Sequence, residues 1–77
     1  MRLNFEKDIL IEDGRSYPLK DFRMWLILNE PNLVASHVIK RIIKNGRLVP
    51  TYDWQHIYFL AQTYGILKKY IHERATQ

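Results

Sequence analysis

Apolar residues recur at two periods along this 77-residue chain, and the change of period divides it into candidate elements. Near the start, Ile9-Leu10-Ile11-Glu12 and Arg15-Ser16-Tyr17 flank Asp13-Gly14. Both residues of that dipeptide tolerate positive φ, so the spacing predicts a β-hairpin closed by a two-residue type I′ turn. Leu3 and Phe5 alternate with polar neighbours and predict either an extension of the first strand or a separate one, with Lys7-Asp8 as the bulge or turn between.

Beyond Pro18 the period lengthens. Proline suits the first turn of a helix, where no N–H is needed, and Asp21 would lie near the positive end of the dipole. A first helix is therefore expected over about residues 18–29. Its run of residues 22–28 is apolar almost all round, which favours a central helix over a buried strand. Glu30, before Pro31, is biased away from helical geometry and closes it. Asn32 then caps an expected second helix. Val34, Val38 and Ile42 with Ala35, Ile39 and Ile43 would cover half its circumference, and Asn45-Gly46 would end it by a left-handed C-terminal turn. On this reading Val38 and Ile42 are core, whereas Lys40, Arg41 and Lys44 are exposed.

Thr51 as N-cap and Asp53 as first-turn acid predict a third helix over about residues 52–73. Residues 52–70 hold six of the ten aromatic side chains, and the apolar positions fall on two faces. Ile57, Leu60, Ala61, Tyr64, Leu67 and Ile71 form one stripe; Phe59, Ile66 and Tyr70 lie nearly opposite. If the first stripe is core, Phe59, Ile66 and Tyr70 are left as an interface for another protein or a second copy of the chain. The alternative is a central helix buried on both sides. Gly65 marks either close approach of a neighbour or a break into two helices. The expected fold is thus α+β, a short N-terminal β-hairpin packed against three helices in one small domain.

Composition narrows the function. A chain with 47% hydrophobic residues and only three Gly and three Pro is an ordered globular domain, and one of this length is a single domain. There is no Cys, which excludes disulfides, thiolate catalysis and Cys-based zinc sites. No apolar run reaches the length of a signal-peptide core or a membrane span, so a soluble, unprocessed, cytoplasmic protein is expected. The net charge is +4, with all of the excess in residues 31–77, which carry seven cations against two acids.

Lys40, Arg41 and Lys44 would share one face of the second helix with His37, and Arg47 lies just beyond it. Such a surface suits phosphate contact, since each neutralised phosphate releases condensed counterions; the competing reading is a solvated helix face. A helix-turn-helix is disfavoured, because the connector of residues 46–50 is long and contains Pro, and Asp53 would meet phosphate with like charge. Tyr52 and Trp54 could stack bases, but residues so placed more often cover the end of a core. His56 and Asp53, three apart, have no nucleophile or third group beside them, and the three histidines lack metal-ligand spacing. No Gly-rich phosphate loop occurs. These features predict a small basic non-enzymatic regulatory binding protein without a cofactor, associated with nucleic acid through Lys40, Arg41, Lys44 and Arg47. The alternative is a protein-binding adaptor or inhibitor, possibly homodimeric, acting through Phe59, Ile66 and Tyr70.

Overall fold

The computed structural model describes residues 2–75, which form a small α+β domain of two antiparallel sheets and four helices. Strands β1 (Arg2–Asn4), β2 (Ile9–Glu12) and β3 (Arg15–Pro18) make a three-stranded sheet in that order. The two-residue turn is formed as its chemistry requires, with Asp13 and Gly14 at φ of 50° and 76° and Glu12 opposite Arg15. Leu3 opposes Leu10, and Leu10 opposes Tyr17, so the three share one face of the sheet. That row is the sheet's contribution to the core: Leu10 is fully buried, and Leu3 and Tyr17 pack against it.

Helix α1 (Leu19–Asn29) follows directly, with Pro18 as its N-cap and Asp21 in its first turn. It buries Leu19, Phe22, Trp25 and Leu26 and leaves Met24, Ile27 and Leu28 exposed, so it covers the core from one side instead of passing through it. Glu30 breaks it, and Pro31 opens a short helix α2 (Pro31–Ala35).

The expected long second helix does not form. Only its first turn is helical; the remainder is strand β4 (Val38–Lys44), which pairs with β5 (Arg47–Tyr52) in a separate two-stranded ribbon. Asn45-Gly46 is the ribbon's turn, with φ of 53° and 74°, and not a helix terminus. The two Asx-Gly dipeptides thus close two hairpins of the same kind. Consequently Ile42, expected in the core, is exposed, and Val38 is half-buried at the ribbon's base.

The expected third helix is two, α3 (Trp54–Thr63) and α4 (Ile66–Ala75). Asp53 is the N-cap of α3, its Oδ1 accepting from the His56 N–H at 3.3 Å, while the Thr51 hydroxyl donates across the ribbon to the Lys40 carbonyl at 2.9 Å. Gly65 separates the helices at φ 75°. A Gly inside one continuous helix would be improved by Ala, by about 1 kcal/mol. In the left-handed region a Cβ costs about 1–2 kcal/mol instead. Gly65→Ala is therefore expected to lower stability, and the sign of the shift in a urea-melt midpoint separates the two geometries.

The break changes which residues face inward. Ile66, Leu67, Tyr70 and Ile71 of α4 all lie on the core, which also holds Ile57, Tyr58 and Ala61 of α3. Its centre is aromatic: Phe22 lies 4.7 Å from Tyr70 and 5.7 Å from Tyr58 between ring centroids, and Trp25 meets Tyr70 edge-on at 5.5 Å. The polar ends of these rings are paired. Tyr70 donates to Asp21 Oδ2 at 2.6 Å, Arg74 Nε lies 3.0 Å from the same oxygen, and Trp25 Nε1 donates to Glu73.

This network predicts an alkaline transition. Burial, reinforced by the hydrogen bond to Asp21 and opposed by Arg74, pushes the Tyr70 hydroxyl up to about 12. The folded state then holds that proton more tightly than the unfolded chain does. The stability it confers is intact below about pH 10, where unfolded tyrosine starts to ionise, and is lost as the pH rises towards 12, by on the order of 2 kcal/mol. A tyrosinate absorbance titration should show a late component coincident with unfolding. Tyr70→Phe should flatten the dependence of the urea midpoint on pH over that window.

Candidate nucleic-acid interface

The ribbon carries all four cations singled out in the sequence, on strands instead of a helix. Lys40, Arg41 and Lys44 belong to β4 and Arg47 opens β5, and all four are exposed. Cross-strand partners share a face, and the register pairs Lys44 with Arg47, Ile43 with Leu48, Ile42 with Val49, Arg41 with Pro50 and Lys40 with Thr51. One face therefore presents Lys40, Lys44 and Arg47 around Ile42 and Val49. The other presents Arg41, Ile43, Leu48 and Pro50.

Every residue from 39 to 48 is exposed, and the only ribbon residue packed against the core is Tyr52. The base is fixed by the Val38–Tyr52 pair and by the Asp53 N–H donating to the His37 carbonyl at 3.0 Å. A seven-residue strand at about 3.3 Å per residue gives the ribbon a length of about 23 Å. Two features keep an exposed ribbon ordered. The Asn-Gly turn matches the natural twist of the strands, and the β-branched Val38, Ile39, Ile42, Ile43, Val49 and Thr51 suit the pleat.

Charge is segregated onto this element. Residues 31–52 contain four cations and no acid, whereas the rest of the chain contains eight cations and eight acids, so the whole net charge of +4 resides on the segment that forms the ribbon. In the body, Arg23 lies 3.2 Å from Asp8 and also donates to the Tyr58 hydroxyl at 3.1 Å, and Arg74 pairs with Asp21. Among the described residues no ion pair or hydrogen bond engages the side-chain nitrogens of Lys40, Arg41, Lys44 or Arg47.

The stripe proposed on the last helix does not stay together. Phe59 is 61% exposed, Ile66 packs against the core, and Tyr70 is fully buried. Tyr64, expected on the core side, is exposed. Tyr52 and Trp54 are half-buried against the core, their rings edge-on at 5.5 Å, and the Arg23 guanidinium lies 6.0 Å from the Trp54 ring. The His37 and His56 rings meet at the ribbon's base, 4.9 Å apart, with His37 Nδ1 2.9 Å from the Leu33 carbonyl. Among the described residues no group of three or more His, Asp or Glu is placed to hold a metal ion, and no helix is long and apolar enough to cross a membrane.

Sequence reasoning missed Ile43 and Leu48 as surface residues, since it placed Ile43 on a buried helix face. The signal that finds them is Asn45-Gly46 between segments rich in β-branched residues. No protein-family model matches the chain, and no curated protein or solved structure matches it significantly.

Proposed function

We propose that the protein is a small, basic, non-enzymatic nucleic-acid-binding protein of regulatory type whose contact element is the β4–β5 ribbon. The observation that carries this reading is the segregation of the entire net charge onto an exposed ribbon with no acid on it. A two-stranded antiparallel ribbon is narrow enough to enter a nucleic-acid groove, and exposed strands serve as readers in several binding folds. The charges needed to hold phosphate are on the element and are not engaged by the body. The protein-partner reading loses support by comparison, because only Phe59 of its three residues is largely exposed.

The test is the salt dependence of binding to a mixed-sequence duplex. Four phosphate contacts predict a slope of about −3.6 in log affinity against log salt. Converting Lys40, Arg41, Lys44 and Arg47 together to Gln should remove both the affinity and the slope while circular dichroism shows an intact fold. Converting the exposed body residues Lys20, Lys68 and Lys69 to Gln removes nearly as much charge and should leave most of the affinity. Equal losses in the two variants would reduce the effect to net charge and remove the ribbon from the site.

A further inference from the structure

We infer that the ligand is double-stranded DNA and that the ribbon enters its minor groove, with Ile43 and Leu48 wedged into a base step so that the duplex bends. This rests on the nucleic-acid reading above and specifies its geometry. Ile43 and Leu48 are directly opposed, adjoin the turn, and are 79% and 66% exposed. Two large aliphatic side chains side by side at the far end of the ribbon are unfavourable in water and mark a surface meant to be covered. Their position is explained if they fill an apolar space in the complex, and the charge of the surrounding ribbon selects a polyanion as what surrounds them.

The chemistry of the two faces orders the complex. Arg41, Ile43, Leu48 and Pro50 share the face that would enter the groove, where Arg41 answers the negative potential of the phosphates on either wall and the aliphatic wedges part stacked bases. Lys40, Lys44 and Arg47 lie on the outer face, and their long stems can curl round the ribbon's edges to the flanking phosphates.

Alternative nucleic acids fit less well. Single strands are held by exposed aromatic side chains that stack on bases, and residues 39–51 contain none. Duplex RNA has a wide, shallow minor groove that is recognised by shape and 2′-hydroxyl contacts, not by an inserted wedge. Pyrimidine–purine steps of DNA unstack most readily and are the expected sites of insertion, whereas A-tracts resist.

The experiment uses the intact protein and short DNA duplexes with a fluorophore pair at their ends. Binding is expected to raise transfer efficiency in a duplex with a central TA step, corresponding to a bend in the range of about 20–90°. The Ile43→Ser, Leu48→Ser double variant should bind with less than about a tenfold loss, since the phosphate contacts are untouched, and should leave the duplex straight. Wild-type protein that binds duplex DNA without bending it, a double variant that bends it equally, or tighter binding to single strands or duplex RNA would each overturn the wedge while leaving the nucleic-acid reading in place. Failure to bind any of these nucleic acids at low salt would overturn both.

Discussion

Tyr70→Ala is expected to unfold the protein wholly or nearly so, while Phe59→Ala leaves it intact. Tyr70 is fully buried, lies against Phe22, Trp25 and Tyr17, and donates its hydroxyl to Asp21. Removing a large buried aromatic costs about 3–5 kcal/mol through lost burial and the cavity left behind. The Asp21–Arg74 pair would also lose a partner beside the core. A chain of this size has a total stability of only about 4–12 kcal/mol at typical values per residue. Phe59, largely solvated on α3, should shift stability by less than about 0.5 kcal/mol when truncated. Urea melts of the two variants check the pair. Similar small shifts in both would restore the two residues to one surface stripe, whereas a collapse confined to Tyr70→Ala places it at the centre of the aromatic core.

The contrast between these residues shows where sequence periodicity failed. On one straight helix, Phe59 and Tyr70 fall on the same side. The left-handed turn at Gly65 redirects the chain, so the phase of α3 says nothing about the phase of α4. Within α4 the adjacent pairs Ile66-Leu67 and Tyr70-Ile71 form a compact inward face, which becomes readable once the helix is taken to start after Gly65. Gly65 was recognisable as a break or a close approach; choosing between these required tertiary context.

The β4–β5 ribbon departs from the helix expected there for a different reason. Val34, Val38 and Ile42, like Ala35, Ile39 and Ile43, are spaced by four, and a spacing of four keeps residues on one side of a helix and also on one face of a strand. The period therefore does not decide between them. The β-branched content of residues 38–43 favours the strand, while the Asn-Gly dipeptide has two common uses, a helix C-terminus and a hairpin turn. Asp13-Gly14, with short strand-like flanks, admitted one reading; Asn45-Gly46, after a run that satisfied helical spacing, admitted both. The cluster of cations survived the error because charge segregation is a property of local sequence. What changes is its arrangement: in place of a single helical face there are two exposed ribbon faces, one with Lys40, Lys44 and Arg47 and the other with Arg41 among aliphatic residues.

Excising the ribbon should separate folding from binding. Replacing residues 39–51 by Asn-Gly keeps Val38 and Tyr52 as the closing pair and keeps the Asp53-to-His37 backbone hydrogen bond that anchors the ribbon's base. None of the removed side chains is buried, so the midpoint of a urea melt should move by no more than about 1 kcal/mol equivalent. The shortened loop costs slightly less entropy to close, which offsets part of what the removed ladder contributed. The excised protein carries eight cations and eight acids, hence no net charge. Its affinity for a DNA duplex at low salt should fall by at least about a hundredfold, because all four cations proposed to meet phosphate are lost together. Retained affinity in a folded, excised protein would move the nucleic-acid site to the body. An excised protein that cannot fold would show instead that the ribbon holds the domain together, and the exposure of residues 39–48 would then need a structural explanation in place of a binding one.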